Sequence, residues 1–147
     1  MGKIVGPLNT AECREFTHVA VFDFEDIAAN ATSSNQVTIA SIPAGGALEL
    51  CMVDESVALA GATDITVDVG TTAGDPDEFI NALDIDAMTV PVFNTGDAFG
   101  SPEAVAGATA ADAPVLVEFN GTVANLTAGK VVIGLRILDP RRFAALV

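Results

Sequence analysis

A chain of 147 residues that is 50% hydrophobic carries enough apolar material for one packed core, which excludes a disordered chain. Its formal net charge is −14, from six Lys and Arg against 20 Asp and Glu, and a body of that sign repels nucleic acid and anionic membrane. Tyr and Trp are absent, so the usual aromatic platforms for stacking bases or sugar rings are missing.

Residues 1–16 mix Gly, Pro and charge without a sustained period and read as an extended N-terminal arm. The segment "THVAVFDF" (17–24) sets Val19 and Val21 against Phe22 and Phe24, as a strand does. A polar loop, "NATSSNQ", separates it from "QVTIASI" (36–42), which alternates Val37, Ile39 and Ser41 against Thr38, Ala40 and Ile42. The turn "PAGG" leads into "ALELCMV" (47–53), and "SVALA" (56–60) follows an acidic break at Asp54 and Glu55. In "DITVDVG" (64–70), Ile65, Val67 and Val69 face inward and Asp64, Thr66 and Asp68 outward. Pro91 marks "MTVPVFN" (88–94) as an edge strand or a bulge. Residues 95–113 are rich in Gly and Ala and read as a long loop; "PVLVEFN" (114–120) and "KVVIGLRIL" (130–138) complete the body, and 139–147 form a C-terminal tail.

About eight short strands at this spacing predict an all-β fold, an antiparallel β-sandwich of jelly-roll type spanning 17–138, with one short helix near 76–83. The helix expectation comes from "GDPDEFINALDID". Asp75 suits an N-cap, Pro76 the first helical position and Glu78 the third, with Phe79, Ile80 and Leu83 as an apolar stripe. The competing reading is a calcium loop built on Asp75, Asp77 and Glu78. It fits poorly, because Phe79 and Ile80 fall where a ligand and a glycine are needed. Asp64, Asp68, Asp84 and Asp86 could join such a site only if the fold brought them together.

Little else resembles chemistry. His18 is the sole histidine, and Cys13 and Cys51 have no metal-ligand spacing. Cys51 sits in an apolar run and reads as a buried small hydrophobe, Cys13 in a polar one. No nucleophile elbow, phosphate loop or dinucleotide fingerprint occurs. The expectation is a protein that is not an enzyme and needs no cofactor. "MGKIVGPLN" lacks the apolar stretch of a signal peptide, no apolar run is long enough to span a membrane, and the sequons at Asn30, Asn120 and Asn125 carry no weight without a secretory route.

The stretch 36–138 resembles small virion proteins of tailed phages, specifically head decoration or cement proteins. The likeness rests on "VTIASIPAGGALEL", on "VDVGT" followed by the acidic "DPDEF", and on the final "GKVVIGLRI" strand. What the resemblance implies is a β-sandwich on the outer surface of a capsid, made in the host cytoplasm, that trimerises near local threefold axes and clamps neighbouring subunits of the major capsid protein. It supplies no catalytic residues.

Charge distribution adds a site hypothesis. From Glu15 to Gly129 there are eighteen acidic residues and no Lys or Arg, whereas Lys3, Arg14, Arg141 and Arg142 lie at the two ends. Those four are the expected contacts to an acidic capsid surface. The alternative functional reading is a phage fibre or adhesin domain that binds a host-surface glycan.

Overall fold

A computed structural model describes residues 3–5, 16–29, 36–96 and 110–141. Among them run nine strands: β1 (Lys3–Val5), β2 (His18–Asp23), β3 (Val37–Ile42), β4 (Ala47–Ala60), β5 (Thr66–Gly70), β6 (Ile80–Asp84), β7 (Val92–Phe93), β8 (Ala113–Asn120) and β9 (Ala128–Leu138). A six-residue helix, α1 (Phe24–Ala29), follows β2, and a single 3₁₀ turn, Val123–Asn125, precedes β9.

The strands pair as one long hairpin folded over on itself. All pairings are antiparallel: β2 with β9, β3 with β8, β4 with β7 and β5 with β6. Lateral pairing of β4 on β9 and β5 on β8 then closes two sheets, ordered β1-β2-β9-β4-β7 and β3-β8-β5-β6. This nested order is the winding of a jelly roll, so the chain is an all-β antiparallel sandwich of that type.

Period-2 alternation decides what lies between the sheets. One sheet contributes Ala20, Phe22, Cys51, Val53, Val131, Ile133 and Leu135; the other contributes Val67, Val69, Val115, Val117 and Phe119. The rings of Phe22 and Phe119 meet edge to face at 5.2 Å and 71°, one from each sheet, and tie the layers together. Cys51 is fully buried, as its apolar run predicts, and burial pushes its thiol pKa up. Cys13 and Asn30 lie outside the described residues, as does most of the expected 95–113 loop.

The helix expected near 76–83 does not form. Residues 76–79 are irregular and Ile80–Asp84 is strand β6. Sheet pairing wins over the helix-start signal because the sheet can bury both Phe79 and Ile80: the Phe79 N–H donates to the Val69 carbonyl at 2.9 Å, and Ile80 pairs with Val69. The helix that does exist begins at the other segment with the same spacing of acids. Asp23 Oδ1 accepts from the Asp26 N–H (2.9 Å) and Asp26 Oδ2 from the Asp23 N–H (3.3 Å), a reciprocal capping box that ends β2 and starts α1. Ile27 then packs into the core beside the 3₁₀ turn.

Two further differences come from bulges. The acidic break at Asp54 and Glu55 does not end a strand: β4 runs through it for 14 residues, with register shifts after Glu55 and after Val57. There Glu55 Oε1 takes the Leu59 N–H at 2.5 Å, a local partner of the kind an irregular strand needs. In β3 a shift between Thr38 and Ala40 puts both Ile39 and Ile42 inward, breaking the simple alternation. Pro91 precedes β7, a two-residue strand at a sheet edge.

Candidate functional site

The acidic stretch organises backbone. The Glu78 carboxylate accepts from the Thr71 N–H (2.8 Å) and from the hydroxyls of Thr71 and Thr72. Burial pushes its pKa up, but these donors outweigh burial and hold Glu78 below the usual carboxylate range. The carboxylate lies directly over Gly70: a Cβ there would stand 1.8 Å from Glu78 Oε2 and 2.6 Å from the Pro76 carbonyl carbon. Glycine at 70 is therefore set by close approach. Asp77 Oδ2 receives the Asn81 side-chain amide at 3.4 Å, and Asp75 is exposed at the turn. Among the described residues no three His, Cys, Asp or Glu side chains converge as a cation site.

Asp68, Glu118 and Asp84 lie on the outer face of the four-stranded sheet. Asp68 pairs across with Glu118, and Thr66 stands between Asn120 and Asp84. Burial, and the neighbouring Glu118 charge, raise the Asp68 pKa against the donors Ala82 N–H and Asn120 Nδ2. Glu118 in turn receives Gln36 Nε2 at 2.8 Å. At the sheet's edge, a hydrogen bond between Asp84 and Asp86 raises the first and lowers the second, while Asp86 Oδ2 accepts the Asp64 N–H (2.9 Å). This face is polar and anionic, as one face of an antiparallel sheet commonly is.

The outer face of the five-stranded sheet is different. Because Ala20, Phe22, Val53, Ile133 and Leu135 point inward, Val19, Val21, Met52, Val132 and Gly134 point out. Register aligns Val19, Gly134, Met52 and Phe93 in one row across four strands. The next row is Val21, Val132 and Asp54. The first row carries no charge. Phe16 lies over Gly134, where a Cβ would meet its ring at 2.7 Å. Phe93 is 47% exposed, and Val90, just before β7, 65%. The sequence holds a signal for this face that period-2 reading passes over: "HVAVF" and "KVVIGL" are apolar at both parities, the pattern of strands covered on both sides.

The cationic residues are not gathered into one patch. Lys3 stands in β1 opposite Val21, which pairs with Val132; Arg141 lies beyond Leu138 at the end of β9. Six residues of strand separate those levels, about 20 Å. Arg141 is exposed and holds Asp139 with both its Nε (2.9 Å) and Nη2 (3.0 Å). Arg136 pairs with Glu49 at 3.0 Å beside the bulge in β4. Arg14 and Arg142 lie outside the described residues.

Protein-family models and curated proteins give no match to this chain. Solved structures do. A chain in the cyanophage Pam1 capsid asymmetric unit superposes with a TM-score of 0.57 at 16% identity, covering 90% of this chain and 98% of that one. A chain in the capsid of Ralstonia phage GP4 superposes with a TM-score of 0.50 at 16% identity, covering 92% of this chain and 90% of that one. The likeness is one of fold, and it spans nearly the whole of each molecule.

Proposed function

We propose that this chain is a virion structural protein of a bacteriophage that decorates and cements the capsid. In this reading it sits on the outer surface as a homotrimer and bridges neighbouring copies of the major capsid protein. The observation that carries the proposal is the end-to-end match to a chain of the Pam1 capsid asymmetric unit, 98% of which is covered. A fragmentary overlap would speak only of a common sandwich core.

The physical requirements agree with the molecule. A cement protein raises the free energy needed to separate shell subunits, so it works through buried area and multiple attachment, without a reaction. An interface of standard size buries about 1,600 Å², and a trimer multiplies weak contacts by holding them together. The uncharged row Val19–Gly134–Met52–Phe93 offers apolar area, and the anionic opposite face keeps the particle soluble. The cationic ends Lys3, Arg14, Arg141 and Arg142 supply charge complementary to an acidic shell. The exposed Arg141–Asp139 pair does not preclude this, since exposed ion pairs are weak and exchange partners readily.

The test is co-sedimentation of the purified chain with phage shells that lack it. Wild-type protein is expected to sediment with shells, and neutralising Lys3, Arg14, Arg141 and Arg142 together to weaken binding more than neutralising four body carboxylates. Equal effects would overturn the assignment of the ends. Failure of the wild-type chain to bind any shell, particularly alongside binding on a glycan array, would replace the reading with an adhesin.

A further inference from the structure

The sequence holds a single Asn-Gly pair, Asn120–Gly121, and the fold leaves its reacting groups open. Asn120 is the last residue of β8, and both residues are exposed. Ladder pairing with β5 ends at Thr66–Asn120; the next carbonyl on that side, Ile65, receives the Ile85 N–H instead (2.9 Å). The Gly121 amide therefore stands outside the ladder, next to the Asn120 side chain. Glycine is fixed at this position, because φ is 101° and a Cβ would stand 2.2 Å from the Asp64 carbonyl oxygen. No side chain shields the nitrogen that follows Asn120. The Asn120 amide is itself held on the outer face of the sheet, its Nδ2 donating to Asp68 Oδ2 at 2.8 Å. A carboxylate there stabilises the positive charge that Nδ2 takes on as it departs.

We infer that Asn120 is a site of spontaneous deamidation in the folded protein. The Gly121 nitrogen gives its proton to solvent and attacks Asn120 Cγ, and the new bond closes a cyclic imide. The Cγ–Nδ2 bond breaks, and Nδ2 takes a proton from solvent and leaves as ammonia. Water then opens the ring at one carbonyl or the other, leaving aspartate or isoaspartate at position 120. Nothing is oxidised or reduced, and water is the co-reactant. Nucleophile and electrophile are neighbours in the chain, so proximity replaces an enzyme. The product has a consequence for the fold. A carboxylate takes the place of the amide that donated to Asp68, on a face that already sets Asp68 opposite Glu118. Like charges so placed destabilise a sheet. Isoaspartate also adds a backbone carbon at the end of β8. Ageing therefore weakens the pairing of β8 with β5.

Ageing of the purified full-length protein in mildly alkaline buffer tests this without any shell, so its failure leaves the capsid reading untouched. Peptide mass mapping follows the conversion of amide to acid, and isoaspartate-specific methylation identifies the rearranged product. Asn81, Asn94 and Asn125, which precede Ala82, Thr95 and Leu126, are the internal references. The expected result is conversion at Asn120 ahead of all three, with isoaspartate accumulating there in protein that still melts cooperatively. No conversion at Asn120, or conversion only in chain unfolded by urea, overturns the proposal. The effect on the fold is read from two variants. Asn120→Asp should melt below wild type, and adding Asp68→Asn, so that residue 68 donates to the new carboxylate, should restore the midpoint. An Asn120→Asp midpoint equal to wild type, or no recovery in the double variant, overturns the clash with Asp68.

Discussion

The two outer faces of the sandwich share one core and one backbone topology, yet they carry opposite chemistry. Behind β8 and β5 the outward positions include Glu118, Asp68, Thr66 and Asn120, and the neighbouring β6 adds Asp84. Behind β2, β9 and β4 the central positions are Val19, Val21, Val132, Gly134 and Met52, with Asp54 in the second row and Asp23, Lys130 and Arg136 at the same parity toward the strand ends. Net charge alone conceals this. A molecule at −14 is not uniformly anionic: carboxylates crowd the outer face and edges of one sheet, while the other carries an uncharged central row flanked by Asp23, Lys130, Arg136 and Asp54. Under the proposed cement role, such a division would supply both repulsion between free copies and a place to stick.

The largest expected effect comes from removing what the faces share. Phe22→Ala should cost about 3–5 kcal/mol, because the ring fills the layer against Phe119. Both faces should then unfold in a single transition, seen as coincident denaturation curves from probes placed on each sheet. Separate transitions would mean that the sheets are not one cooperative unit. Gly70→Ala comes next, at about 1–3 kcal/mol, since the added Cβ would overlap Glu78 Oε2 and the backbone at Pro76. Thermal melting reads it out, and an unchanged midpoint would show that the loop 71–78 can yield.

Carboxylates of the four-stranded side should separate by sign. Glu78 is held below the usual range, so its contribution is present at neutral pH, above its unfolded value, and is lost as pH falls through its folded value. Glu78→Gln should therefore cost about 1 kcal/mol near neutrality, discounted for partial exposure, and progressively less in acid. Asp68 is raised, so its charged form is the strained one in the folded state and its protonation on acidification favours folding. Asp68→Asn should leave stability near pH 7 unchanged or slightly higher, and a pH series of denaturant midpoints distinguishes the two variants. The smallest effect belongs to Arg141→Gln, which should leave the melting midpoint essentially unchanged, because the Asp139 pair is exposed; a loss of shell binding without a loss of stability would place Arg141 at the interface.

Particular residues mark how far the sequence could be read. Ile65, Val67 and Val69 gave their strand and its inward face directly, because β5 is regular there and lies within a sheet whose other side is wet. Pro91 located an edge. The helix was misplaced because Asp75 and Glu78 carry the same local signal as Asp23 and Asp26, and only tertiary context distinguishes them. Phe79 and Ile80 are claimed by Val69, whereas Phe24 and Ile27 have a turn beside Val123 to pack on. The unbroken β4 was hidden by Asp54 and Glu55, whose polarity suggests a boundary when a bulge absorbs it. Of the functional features, the charged ends were visible as composition, but the apolar row was not. It exists only once register aligns Val19, Gly134, Met52 and Phe93 from four distant segments.

The central claim is tested most directly by an electron-microscopy reconstruction of shells to which the purified chain has been added. The account predicts jelly-roll density in groups of three on the outer surface, astride neighbouring capsid subunits, with the outer face of the five-stranded sheet engaged in contact. Undecorated shells, or density confined to the tail, would contradict it.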